Sequence, residues 1–390
     1  MSDLLRPVAE SDSGSPLAIV LSGGGARAAY QVGLLRCLAR HRPDLRFDII
    51  TGVSAGAINA VYLASHPGGL PEAAWGLSQL WRGLTPERIF DLRSFALSRR
   101  ILHWGLRLVG GGIRPGGEVR GMLDTRPLER LLSAELSTRK GEILGIGDNL
   151  ERGRLEAFAL TTLDYGTGQT VTWVQGRDIR SWERPNRRSV QTRMKVSHVM
   201  ASAALPLFFP AIQVGDSWHG DGGVRLAAPL SPALHLGARR VLVISTRYRR
   251  SKKEAAEPLI DGYPPPAQIL GHLLNAIFLD VIDEDVLRLE RLNRLVRKLP
   301  PEKRDGLAPI DMLTLRPSQD LGKLASEYEP RLPGAFRFLT RGLGTRQTRS
   351  PDFLSLLMFQ PEYLERLMEI GEADAEARRD EIVALLEAGG

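Results

Sequence analysis

Three short glycine-rich segments hold the residues able to do covalent chemistry. Gly52-Val53-Ser54-Ala55-Gly56 is a G-x-S-x-G pattern. In that pattern the serine occupies a sharp strand-to-helix turn that presents its hydroxyl at the end of a sheet, with Gly52 and Gly56 relieving the crowding. The chemistry is attack on a carbonyl to give an acyl-serine. Ser22-Gly23-Gly24-Gly25-Ala26-Arg27 is the second segment. Its unobstructed N–H groups fit an oxyanion hole for a tetrahedral acyl intermediate. They also fit a pyrophosphate cradle, since Gly23-x-Gly25-x-x-Ala28 is followed by Asp48 about 20 residues on. The ribose-binding acid of such a cradle should close the second strand, whereas Asp48 opens it. No Gly-Lys-Ser/Thr follows the glycines, which excludes a P-loop.

A serine nucleophile needs a base, and histidine is the usual one. None of the seven histidines lies in a compact motif with an acid. In the order nucleophile, acid, histidine, the candidates are His235 and His272, both in helical stretches that read as packing or surface. Asp221, in His219-Gly220-Asp221-Gly222-Gly223, is the alternative. An aspartate near its ordinary pKa of about 3.9 is a poor base. It serves if it is desolvated and meets the hydroxyl directly. The plain alternative is an Asp-Gly turn.

The elements around these segments follow from periodicity. Pro16–Leu21 is a short branched apolar run, expected as a buried strand. Ala26–Arg40 carries Ala29, Val32, Leu35 and Ala39 on one helical stripe. Phe47–Ile50 is expected as a second strand and Ala57–Ser65 as a helix. Strand, glycine loop and helix, twice in fifty residues, imply an α/β fold with a parallel sheet. Further strands are expected at Glu156–Thr162, Gln169–Val174, Pro210–Val214, Arg239–Thr246 and Asp311–Arg316. Ala267–Lys298, Pro351–Ile370 and Ala373–Ala388 read as helices.

The ordered set Gly23-Gly-Gly-Ala-Arg27, Gly52-Val-Ser-Ala-Gly56 and Asp221-Gly-Gly223 resembles the patatin-like phospholipases. Ala201–Pro210 resembles the helix and proline turn that precede that family's aspartate. The resemblance covers about residues 16–246. It implies a three-layer α/β/α sandwich with a mainly parallel central sheet and a helical C-terminal extension. It also implies hydrolysis of phospholipid, lysophospholipid or other lipid esters by a Ser54–Asp221 dyad, with no histidine, metal or cofactor. Gly23, Gly24, Gly25 and Ala26 carry over as the oxyanion hole. Arg27, Gly222 and Gly223 support it, Arg27 by holding the loop or by meeting a substrate phosphate. The family usually has glycine where this chain has Ala28, which bears on the aim of the donors. A nucleotide-binding or non-catalytic regulatory α/β protein is the rival reading.

The chain has 390 residues, 43% hydrophobic and 25% charged, ordinary for a globular protein and unlike a disordered one. Residues 1–15 are expected as a flexible tail, 16–250 as the catalytic domain and 251–390 as a mainly helical region whose strand 311–316 completes the sheet. A lid or membrane-facing insertion is expected over about 85–125. Within it, Arg99, Arg100 and Arg107 beside Trp104 suit an anionic lipid surface. A second basic run, Arg184, Arg187, Arg188, Arg193 and Lys195, reads as a solvated loop. Net charge is +7, without the aromatic-interleaved basic stripe that nucleic acid would need. Cys37, the single cysteine, reads as buried filler and excludes a disulfide framework. Met1–Pro16 lacks the apolar core of a signal peptide, and no run reaches the roughly 18 apolar residues of a membrane span. A cytoplasmic protein, peripheral to a membrane, is expected. The oligomeric state is not legible.

Overall fold

The computed structural model describes residues 15–91, 121–348 and 350–388. Ten strands form one sheet: β1 (Leu17–Leu21), β2 (Ile49–Val53), β3 (Ala157–Asp164), β4 (Thr170–Gly176), β5 (Glu183–Arg184), β6 (Arg187–Gln191), β7 (Ile212–Val214), β8 (Ser217–Asp221), β9 (Arg240–Ile244) and β10 (Asp311–Leu315). Their order is β10-β9-β1-β2-β3-β4-β6-β5, with β8 and β7 appended to β3. β10, β9, β1, β2 and β3 are parallel. β4 and β8 run antiparallel to β3.

β1 is buried along its whole length. Leu17, Ile19 and Leu21 face one apolar layer, Ala18 and Val20 the other. A strand covered on both faces must be continuously apolar, as this one is. Each fully buried Leu, Ile or Val contributes about 1.5–3 kcal/mol.

The helices used below are α1 (Ala29–His41), α2 (Ala55–Ser65), α3 (Leu70–Arg82), α4 (Arg126–Glu135), α5 (Val196–Ser202), α6 (Pro266–Phe278), α7 (Asp280–Lys298), α8 (Asp352–Leu357) and α9 (Pro361–Ala377). α9 lies against α1 through two reciprocal notches. Gly33 abuts the Met368 carbonyl, Gly371 abuts the Tyr30 carbonyl, and neither leaves room for a Cβ. The C-terminal helices therefore share one hydrophobic core with the first 250 residues.

Several expectations shift. The stretches expected as single helices, Ala267–Lys298 and Pro351–Ile370, each divide, into α6 and α7 and into α8 and α9. The second strand runs Ile49–Val53 rather than 47–50, so the chain leaves it directly at Ser54. The strand also tolerates Gly52, because that glycine lies against the Gly56 carbonyl and Ala60. The basic run 184–195 is not simply a loop. β5 and β6 form the edge hairpin of the sheet within it, paired antiparallel. Arg99, Arg100, Trp104 and Arg107 lie outside the described residues, as does most of the expected insertion; Pro86–Ile89 within it is a short helix. No helix among the described residues is long and apolar enough to cross a membrane.

Candidate active site

Parallel strands end at a common edge. The glycine loop leaves β1 there, Ser54 leaves β2 and Thr246 follows β9. Sheet register brings Asp221 to the same place. β2 pairs with β3 up to Val53 opposite Thr161. At the next residue, Thr162, β8 takes over with Asp221. The last residue of β8 thus abuts the first residue beyond β2.

Ser54 has φ 56° and ψ −133°. A non-glycine residue held there stores about 1–3 kcal/mol and persists only where its surroundings enforce it. Gly56 packs against the Leu21 and Ser22 carbonyls with no space for a Cβ. Ser54 N donates to Ser202 Oγ at 3.0 Å, and Ser202 Oγ donates to the Thr161 carbonyl at 2.7 Å. α5 thereby pins the elbow to β3. Behind it, Asn59 donates to the Ala28 carbonyl and to Gln31, accepts from Trp81 Nε1 at 2.7 Å, and Gln31 donates to the Ser22 carbonyl. This buried chain ties α1, α2 and α3 to the glycine loop.

Asp221 is fully buried. Its N–H donates to the Ala204 carbonyl at 3.0 Å, and its Oδ1 accepts from Gly223 N at 2.9 Å. Burial pushes the carboxyl up to about 7, against hydrogen bonding from the Ser54 hydroxyl and Gly223 N that pulls it down. Oδ2 has no partner at full hydrogen-bond geometry. The Ser54 hydroxyl thus lies near enough to the carboxyl to act on its pKa, while Oδ2 accepts no hydrogen bond. Gly222 fits tightly under the Thr161 carbonyl and Gly223 against the Phe278 ring.

The triple glycine curls around the serine. Gly24 has φ 147° and Gly25 φ 54°, both unfavourable for side chains. Gly23 sits against Ser54 Cβ, Gly24 against the Thr246 hydroxyl and Gly25 against the Leu356 carbonyl. Thr246 Oγ1 donates to the Gly23 carbonyl at 2.6 Å. The amides of Gly23 and Gly24 find no protein acceptor among the described residues. Arg27 is 3% exposed. It donates to Ser355 Oγ at 2.6 Å and pairs with Asp352 Oδ1 at 2.5 Å. Asn275 donates to the other Asp352 oxygen at 2.7 Å. Arg27 is thus committed to α8 and buried away from any substrate phosphate.

Gly24, Gly25, Ser54 and Ala55 close one end of an apolar cavity. Trp81, Leu84, Leu128, Leu132, Phe209, Phe278, Leu357 and Phe359 wall the rest. Its empty volume, open mouth included, is about 790 Å³. α3, α4, α6 and α8 each contribute to the wall.

The other candidate residues lie elsewhere. His235 stacks on Trp182 with ring centroids 4.7 Å apart, and His272 bonds Gln268. Neither lines the cavity at Ser54. His219 contacts Thr162 Oγ1 at 3.0 Å, and burial lowers its pKa; burial and Lys195 push His198 down to about 4. Asp48 Oδ2 accepts from Leu17 N at 2.7 Å, at the sheet edge opposite the glycine loop, which removes it from any ribose at that loop. Cys37 is buried, with Glu376 at 3.5 Å from its sulfur. Ser202, Thr246, Asn59, Asp352 and Ser355 were not singled out from sequence. Asn59 alone carries a local signal, a lone amide in an apolar helix.

Comparison with known proteins gives the family. The patatin-like phospholipase family description matches residues 19–234, and the chain belongs to that family. A patatin-like phospholipase domain-containing protein of Caenorhabditis elegans, ZK370.4, is 37% identical over 78 residues, covering 18% of this chain and 6% of that protein. Among solved structures, human GIVD cytosolic phospholipase A2 in complex with methyl gamma-linolenyl fluorophosphonate aligns over 99% of this chain and 60% of its own, at 14% identity and TM-score 0.45. The type III effector ExoU aligns over 96% of this chain and 54% of its own, at 16% identity and TM-score 0.36. The chain thus spans less than two thirds of the length of each of these relatives.

Proposed function

We propose that this chain is a serine acyl hydrolase of lipid esters. Ser54 is the nucleophile and Asp221 the general base. Asp221 takes the hydroxyl proton as Ser54 Oγ attacks the ester carbonyl. Amides of the 23–26 loop, with the start of α2, hold the oxyanion, and preorganised donors of this kind are worth several kcal/mol in the transition state. The tetrahedral species expels the alcohol, which leaves with the proton from Asp221. Water, deprotonated by Asp221, then cleaves the acyl-serine and returns the proton to Oγ.

The apolar cavity suits the acyl chain of a phospholipid, lysophospholipid or other lipid ester. Peripheral contact with an anionic surface through the basic stretch around Trp104 belongs to the same reading and rests on sequence alone. The observation that carries the proposal is the β3 register, in which β8 replaces β2 between Thr161 and Thr162. The test is a lipid-product profile by mass spectrometry, together with hydrolysis of short p-nitrophenyl esters. Wild type should release fatty acid; Ser54→Ala and Asp221→Asn should not. Activity surviving Ser54→Ala ends the proposal.

A further inference from the structure

A second pocket lies at the far edge of the sheet, away from Ser54. Its walls are β4, the β5–β6 hairpin, the segment after Asp221 and α7. Arg184, Arg187, Arg225 and Arg288 line it, and Asp285 is its one acidic lining residue. Arg184 and Arg187 stand directly opposite each other in the hairpin register. Opposed like charges destabilise a strand pair. Arg184 is engaged in an interaction of its own. Arg187, Arg225 and Arg288 against Asp285 still leave two positive charges in excess.

The one carboxylate is partly used. Asp285 is buried and accepts from Leu230 N at 2.9 Å, and Arg288 stands 3.8 Å from it. Arg187 makes no ion pair among the described residues. Burial, then Arg184 and Arg288, push its pKa down, with Asp285 opposing. An arginine kept half-buried among other arginines is a cost that a bound anion removes.

The remaining lining is mostly apolar, with Trp182, Leu226, Leu234 and Leu292, beside the polar Thr170, Thr172, Asn186 and Ser231. The cavity volume is about 410 Å³. That lies within the roughly 300–1,000 Å³ of pockets for drug-sized ligands, which leaves room for an organic portion beside a phosphate. We propose that this pocket binds a phosphate-bearing anion, with guanidinium groups on the phosphate and an apolar portion against the Trp182 side. A lipid phosphate and a free phosphate compound share that chemistry. The proposal does not depend on hydrolysis at Ser54.

The experiment uses full-length Ser54→Ala protein, so that no lipid probe is consumed. Saturable binding and thermal shift are measured at low salt with dihexanoyl phosphatidic acid, inorganic pyrophosphate and dihexanoyl phosphatidylcholine. Phosphatidic acid should bind and raise Tm, and the affinity should fade with salt. Arg187→Gln and Arg288→Gln should each weaken it about tenfold or more, equivalent to about 1.4 kcal/mol. Arg193→Gln, at an exposed arginine paired with Glu142, should not. Unliganded Arg187→Gln should melt no lower than its parent, which separates lost binding from lost folding. Equal affinity for pyrophosphate also supports the site and assigns it to free phosphate compounds. No saturable binding of either phosphate probe, equal binding of phosphatidylcholine, or full retention in the Arg187→Gln/Arg288→Gln double variant overturns the proposal.

Discussion

The burial of Asp221 links activity to stability through one titration. Its carboxyl moves from an ordinary value of about 3.9 to about 7. As the proposed base it would work only when ionised. With a pKa of about 7, roughly a tenth is ionised at pH 6 and roughly nine tenths at pH 8. kcat/KM should therefore rise about tenfold between these pH values and then level. An ordinary aspartate would be ionised throughout and give a flat profile.

The same shift acts on folding. The folded state holds the proton more tightly than the unfolded chain, so this group's contribution is fully present below about pH 4 and is lost as pH rises through 7. A gap of about three pH units at about 1.36 kcal/mol each comes to about 4 kcal/mol. Asp221→Asn removes the buried charge and should be more stable than wild type at pH 8, with the advantage shrinking towards pH 4. An unfolding entropy of about 2.1 cal/mol/K per residue over 390 residues turns 4 kcal/mol into about 5 °C of Tm. The assays are p-nitrophenyl butyrate hydrolysis, followed at the isosbestic wavelength of p-nitrophenol, and calorimetry of both proteins at each pH. A flat kcat/KM from pH 5 to 9, or a pH-independent Tm difference between the two proteins, refutes the reasoning.

Three further perturbations test the supporting structure. Asp352→Ala strands the buried Arg27 guanidinium; breaking such a pair costs about 3–5 kcal/mol, and calorimetry should register that loss. Through the loop that Arg27 carries, kcat should fall more than KM changes, and Asp352→Glu should recover part of both. Leu132→Trp in the cavity wall should cut hydrolysis of long-chain p-nitrophenyl esters at least tenfold while sparing the acetate; equal loss on both would remove the cavity from acyl binding. Ser202→Ala leaves Ser54 N without its acceptor, a penalty of about 1–3 kcal/mol, and should lower both Tm and kcat. An unaltered kcat there would mean that the elbow does not need α5.

Much of this arrangement is legible in the sequence because it is local. A branched apolar run, three glycines and a stripe at helical spacing define β1, the loop and α1 without help from distant residues. The G-x-S-x-G pattern marks its elbow because only glycine fits at Gly52 and Gly56. What stays hidden is long-range. Nothing near Arg27 signals that Asp352 and Ser355, more than 300 residues on, will take its guanidinium. β8 is a short strand containing Gly220, and its pairing with β3 and β7 makes it one. The arginine-rich β5–β6 hairpin reads as solvent-facing because its charges mask an edge strand. The cavity is assembled from helices far apart in the chain and has no contiguous signature at all.

The central claim is that the Ser54 hydroxyl reacts with the help of Asp221. Labelling by a fluorophosphonate probe, mapped by peptide mass spectrometry and timed in wild type, Ser54→Ala and Asp221→Asn, tests it most directly. The account predicts a single adduct on Ser54, none in Ser54→Ala, and labelling slowed at least a hundredfold in a folded Asp221→Asn protein. An adduct on another residue, or an unchanged rate in Asp221→Asn, contradicts it.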